Sequence, residues 1–202
     1  MNKFKLSVLF LLCLSAFATG HCDAHAQRLS VSSNVLELAN LGTLNAEAGV
    51  AVGRHFSIHA QARVNPWVFR EGSAENRITD PAGVEEKQFQ NKKQAYDLSL
   101  RFWPWYVYSG WWFSLRAQYM EYDYGGILNT ARQAGDSYGG GLSVGYSYIL
   151  FKNLNLDFGM GVWGGYRQYG RYLCTNCGKE IESGNTWFIV PDDIRLSLVL
   201  VF

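Results

Sequence analysis

Leu154-Asn155-Leu156-Asp157-Phe158-Gly159-Met160-Gly161-Val162-Trp163-Gly164 is the stretch whose reading decides the fold. In an extended chain, alternate side chains point to opposite faces. Leu154, Leu156, Phe158, Met160 and Val162 share one face; Asn155, Asp157, Gly159, Gly161 and Trp163 share the other. Residues 137–150 repeat the pattern, with Tyr138, Leu142, Val144, Tyr146, Tyr148 and Leu150 set against Gly139, Gly141, Ser143, Gly145 and Ser147. A soluble antiparallel sandwich buries its apolar face and solvates a charged one. Here the second face is glycine, serine and scattered charge, and the apolar face is rich in aromatic rings. That is the pattern of a closed barrel with lipid outside and a packed polar interior.

Working outward, period-2 runs mark eight strands at 29–39, 44–53, 56–69, 94–106, 111–123, 137–150, 154–168 and 188–202. Their connections alternate: Gly53-Arg54-His55, 107–110 and Phe151-Lys152-Asn153 are tight, whereas 70–93, 124–136 and 169–187 are long. Short inner turns and long outer loops belong to outer-membrane barrels. The expected fold is therefore all-β, an eight-stranded antiparallel transmembrane β-barrel of the outer-membrane type. In the first strand, Val31 and Val35 compete with Leu36 and Leu38 for the outward face. Aromatic residues gather at strand ends, where rings anchor at lipid headgroups. Trp103, Trp105, Tyr106, Trp111 and Trp112 flank one inner turn; Trp67, Tyr119, Tyr138, Tyr166 and Trp187 lie toward the outer ends. Ile194, Leu196, Leu198, Leu200 and Phe202 share one face of the last strand. That ending resembles the signal read by the barrel-assembly machinery.

Residues 1–26 read as a secretory signal, with Lys3 and Lys5 ahead of an apolar stretch and Ala24-His25-Ala26 at the cleavage site. Residues 27–202 then form one barrel domain, placed in the bacterial outer membrane. With 18 basic and 17 acidic residues there is no basic surplus to attract nucleic acid. Turning the apolar faces to lipid turns Glu47, His59, Arg63, Asp97, Arg101, Arg116, Asp157, Arg167 and Arg195 inward. A charge on the lipid face costs about 2–4 kcal/mol for Arg or Lys at mid-bilayer, so their common side is a check on the register. Glu47, Arg63, Asp97, Arg101, Arg116, Asp157 and Arg195 are expected to form an ion network that closes the lumen. Ser57 and His59 also share the inward face, with Glu47 on the neighbouring strand, which is a nucleophile-base-acid order. Their place near the inner mouth argues against catalysis, and the expectation is a protein without enzymatic activity or cofactor.

The chain resembles a family of small outer-membrane barrels common in Bacteroidota and known only as a domain of unknown function, number 3575. The resemblance rests on Asn65-Pro66-Trp67, Gly125-Gly126-Ile127, Leu154-Asn155-Leu156 and, most of all, Tyr172-Leu173-Cys174-Thr175-Asn176-Cys177-Gly178. Where the family continues with Gly-Pro-Thr-Lys, this chain has Val190-Pro191-Asp192-Asp193. The resemblance implies an outer-membrane barrel and no particular activity.

Cys174 and Cys177 are the cysteines left once Cys13 and Cys22 depart with the signal. Zinc would need two further ligands, and a disulfide bracing the last outer loop is expected instead. The expected role is a non-catalytic barrel, structural or recognising a surface partner. Its partners would be outer-membrane lipid, the assembly machinery during insertion, and an extracellular or envelope component reached through loops 70–93 and 169–187. The alternatives are a narrow porin-like channel and a lipid-modifying hydrolase.

Overall fold

The alternation that marks each strand also fixes which face looks inward, and the chain closes on itself accordingly. The computed structural model describes residues 28–70, 78–80, 83–85, 88–125, 132–172 and 180–202. The elements are β1 (Leu29–Asn34), helix α1 (Val35–Ala39), β2 (Leu44–Ala51), β3 (Phe56–Asn65), β4 (Val68–Arg70), β5 (Ile78–Asp80), β6 (Gly83–Glu85), β7 (Gln88–Phe102), β8 (Gly110–Gly125), β9 (Arg132–Phe151), β10 (Leu154–Tyr172), β11 (Glu180–Pro191) and β12 (Arg195–Val201). Antiparallel pairs run β1-β2-β3-β7-β8-β9-β10, and β12 joins β10 back to β1. β4 continues β3 along β7, while β11 and β12 share one place in the wall, so the barrel has eight wall positions. β5 and β6 make a separate hairpin between β4 and β7.

Burial alternates residue by residue along the wall, most regularly in β8. The outward set is apolar: Leu98, Leu115, Leu142, Met160 and Leu198 are all exposed. The inward set is polar and buried, as in Ser57, Arg63, Asp97, Arg116 and Asp157. Outward rings also align across strands. Tyr96 lies opposite Tyr119, Tyr119 opposite Tyr138, Tyr138 opposite Tyr166 and Tyr166 opposite Trp187, a belt spanning β7 to β11.

Several elements differ from the sequence-based expectation. The first strand stops at Asn34, and residues 35–39 form α1 instead of its outer half. The competition between its two apolar registers ends there: a helical turn exposes Val35, Leu36 and Leu38 together. Strands β8 to β11 run further outward than expected, so 132–136, 169–172 and 180–187 are paired strand and not loop.

The eighth wall position is not one strand over 188–202. Gly159 faces Arg195 and Val162 faces Pro191, so three residues, Asp192 to Ile194, oppose two on β10. This bulge flips the alternation. Phe188 and Val190 turn inward beside Trp163, and Trp187 and Ile189 turn outward.

The inner turn corrects a further expectation. Trp103 and Trp112 do not join a headgroup belt: both are fully buried inside the barrel, while Trp105, Tyr106 and Trp111 are exposed. The turn folds back into the lumen because Tyr108, at φ 65°, is held there. Its carbonyl accepts from Asn155 Nδ2 at 2.7 Å, and its ring meets Trp103 edge-on at 5.8 Å. Trp112 needs bare strand beneath it. A Cβ on Gly145 would lie 2.3 Å, and one on Gly159 2.8 Å, from the Trp112 ring.

Candidate functional site: the lumen

Side chains fill the barrel in layers. At the inner end Trp103, Tyr108, Trp112, Val199 and Val201 form an apolar plug. Further out, Ala95, Met120, Tyr122 and Trp163 form a second apolar layer with Phe188 and Val190 packed on it. Between them lies a charged layer, and cations stack on the plug: Arg101 sits 4.7 Å and Arg195 5.8 Å from the Trp112 ring.

Glu47 on β2 is the hub of the inner half of that layer. Its Oε1 accepts from Arg101 Nη2 at 2.5 Å and its Oε2 from Arg195 Nη1 at 2.5 Å. Arg101 also reaches Asp157 at 3.4 Å. Arg63 is the hub of the outer half. It pairs with Asp97 at 3.0 Å, Glu37 at 3.1 Å and Asp192 at 3.4 Å. Asp192 also accepts from Arg116 at 3.3 Å, and Asp193 accepts from Arg195 at 3.1 Å. A buried charge is tolerated when paired and hydrogen-bonded. Each hub meets that condition with more than one partner.

All seven residues expected in the lumen network therefore meet in one connected cluster. Three members escaped the sequence reading. Glu37 enters because α1 turns it inward, whereas a strand over 29–39 leaves its partner unassigned. Asp192 and Asp193 enter through the bulge. A Pro191 followed by two acids inside an otherwise alternating strand was the available signal, since proline in a strand marks an edge or a bulge.

Ser57, His59 and Glu47 are in hydrogen-bond contact. Ser57 Oγ lies 2.9 Å from His59 Nε2, and His59 Nδ1 lies 3.0 Å from Glu47 Oε1. The geometry orders a hydroxyl, an imidazole and a carboxylate. Ser57 is fully buried, however, and its Oγ also accepts the Trp103 indole N–H at 2.8 Å. Glu47 is also held by two guanidiniums, Arg101 and Arg195, beside its contact with the imidazole.

Outside the lumen, Asn65-Pro66-Trp67 ties down the short first outer connection. Asn65 Nδ2 donates to Thr43 Oγ1 at 3.0 Å, and Trp67 Nε1 donates to the Gly42 carbonyl at 2.9 Å. Gly42 has φ 69° and lies under the Trp67 ring. Cys174 and Cys177, Gly126 and Ile127, and residues 71–77, 81–82 and 86–87 of the 70–93 loop lie outside the described residues. Among the described residues no group of three or more His, Cys, Asp or Glu could hold a metal ion.

A family model described as "Protein of unknown function (DUF3575)" matches residues 8–202. No curated protein and no solved structure matches the chain.

Proposed function

The chain belongs to the DUF3575 family of proteins of unknown function, and from that premise we propose that it is a closed, non-catalytic β-barrel of the bacterial outer membrane. Its role in this reading is structural or recognitional: a rigid wall holds outer loops where an extracellular or envelope partner meets them. One observation carries the proposal, the inversion of the barrel. Its outward positions are apolar and its interior is charged, the arrangement that lipid outside requires and water outside penalises. The layered lumen supports a closed rather than a conducting barrel, because an eight-stranded interior is just wide enough for side chains to fill. Strand β12, apolar on its outward face up to Phe202, supports recognition by the assembly machinery.

The test is membrane fractionation followed by planar-bilayer recording. The protein should sediment with outer membranes, and external protease should cut within 70–93 while sparing the inner turn at 103–109. Bilayers should show no stable conductance. Recovery as a soluble periplasmic protein overturns the membrane reading, and a stable open conductance overturns the closed one.

The contact of Ser57, His59 and Glu47 favours a second reading, a membrane-embedded hydrolase. Burial of Ser57 beneath Trp103 weighs against it, since a nucleophile must be reached by its substrate. A fluorophosphonate probe should leave Ser57 unlabelled in the folded barrel; labelling abolished by Ser57→Ala would give this reading the lead.

A further inference from the structure

The wall is not continuous all the way up. Below the bulge, β12 pairs with β1 from Val201 to Ser197. Above it, β11 pairs with β10 alone, and among the described residues its second edge has no strand partner. The neighbour that would cover this edge is missing because β1 gives way to α1 at Val35. Asn34 marks the lower end of the resulting seam, bonding to the Ile194 carbonyl and the Leu196 amide. The burial pattern agrees with an opening. Gln118 and Met120 on β8 are buried, whereas Thr186 on β11 is exposed and Phe188 and Val190 are only half-buried, although all face inward.

Some of the lumen's unmet polar groups lie behind this seam. Arg167 stacks its guanidinium on the Phe188 ring at 4.5 Å and has no carboxylate within ion-pair distance among the described residues, unlike the other four lumen arginines. The Trp163 ring meets Phe188 edge-on at 4.6 Å, and its Nε1 is buried without a partner. Gln118 shares a register row with Phe188, through Gly139 and Gly165. It is 4% exposed, and neither its amide nitrogen nor its amide oxygen has a partner. Buried polar atoms are normally satisfied; here Trp163 Nε1, the Gln118 amide and Arg167 Nε face the lumen without a hydrogen-bond partner. On the outward face an apolar groove of about 780 Å3 reaches Pro191 and Ile194, at the foot of the same seam.

We propose that the seam between β11 and α1 is a lateral binding site for an anionic amphiphile. Its phosphate or carboxylate contacts Arg167, with Gln118 and Trp163 Nε1 as further donors, and its acyl chain lies across Phe188 and Val190 toward the outward groove. The chemistry follows from the lining: a cation lacking an acid asks for an anion, and an apolar edge level with the aromatic belt asks for a hydrocarbon chain. The site rests on the membrane reading for the source of its ligand. Fractionation tests that reading and binding by purified protein tests this one, so either can fail alone.

The experiment is native mass spectrometry of the folded full chain in dodecyl maltoside, titrated with dodecyl phosphate. One dodecyl phosphate should be retained per barrel, octyl phosphate more weakly, and inorganic phosphate should not compete. Arg167→Gln should weaken retention at least tenfold while the barrel keeps its compact gel mobility. Gln118→Leu removes a buried amide that has no partner, so it should preserve or raise thermal stability and still lower retention. Retention by both variants equal to that of the unsubstituted protein overturns the site, and competition by inorganic phosphate overturns the acyl-chain part. A two-chain mass lost on Ile189→Pro would assign the β11 edge to a second copy and overturn the proposal.

Discussion

Two sides of this barrel are closed by different means. From β7 to β10 the wall is a long ladder, with β9 and β10 in one register from Ile149 and Asn155 to Arg132 and Tyr172, above a bulge beside Leu154. Glycines let the β9 and β10 backbones approach: a Cβ on Gly139 would lie 2.6 Å from the Gly165 Cα. On the other side, α1 and the bulge interrupt both partners of the β1–β12 ladder, and side chains take over. Asn34 ends the ladder, and Glu37, Asp192 and Asp193 reach from the interrupted segments into the lumen arginines. The β9–β10 ladder is closed by backbone hydrogen bonds, over glycines that permit the close approach. The foot of the seam is tied by particular side chains, so substitutions there should act locally.

The largest effect is expected at Glu47, which links the two sides. It sits on β2 and holds Arg101 of the ladder side and Arg195 of the seam side. Glu47→Ala leaves two buried guanidiniums short of an anion, a loss of about 3–5 kcal/mol when desolvation is complete. The temperature at which the folded barrel loses its gel-mobility shift should fall markedly. An unchanged transition would show that the charged layer fills the lumen without holding its sides together.

The same contrast explains what was legible in the sequence. Alternation is a local property, so the β9 and β10 faces, the inward Arg116 and Asp157 and the outward Met160 follow from period-2 reading alone. The charged cluster was legible because apolar faces exclude charge, leaving Glu47, Arg63, Asp97, Arg101 and Arg195 one side to occupy. The seam was not legible, because it arises where two local rules collide. Val-Leu-Glu-Leu-Ala at 35–39 fits a strand in two registers, and a single helical turn capped by Asn34 Oδ1 on the Leu36 amide resolves it. One extra residue at 192–194 then reversed Phe188 and Val190, since parity carries no memory across a bulge. Their place near a turn puts Trp103 and Trp112 in a belt by spacing alone. Their burial depends on Gly145 and Gly159 on other strands, a long-range fit that spacing does not reveal.

A smaller effect is expected at Asn34. Its side chain caps α1, donates to the Ile194 carbonyl at 3.1 Å and accepts from the Leu196 amide at 3.1 Å. Asn34→Ala removes a helix cap and leaves strand groups unpaired, a cost of about 2 kcal/mol. The loss should be local. Amide exchange should quicken for Leu196 and the end of β1 while β9 and β10 keep their protection. Uniform loss of protection would mean that the two sides unfold as one unit, and that the distinction between them is geometric only.

The smallest effect is a gain, and it tests whether the aromatic belt stabilises through pairing. The belt runs from Trp187 to Tyr96 and then stops, because Ala62 lies opposite Tyr96 and Ala46 opposite Ala62. Directly opposed aromatic pairs on an antiparallel sheet contribute about 0.2–1 kcal/mol over alanine. Ala62→Tyr places a ring beside Tyr96 on an outward position, extending the belt by one strand toward the seam. The substitution should leave the lumen untouched, because Gln61 and Arg63 on either side keep their inward direction. Thermal stability in detergent should rise by a small, measurable increment, and Tyr96→Ala in the same background should abolish the gain. A gain that survives loss of Tyr96 would show that the new ring acts through its surroundings alone, and that the belt is a row of separate anchors and not a paired strip.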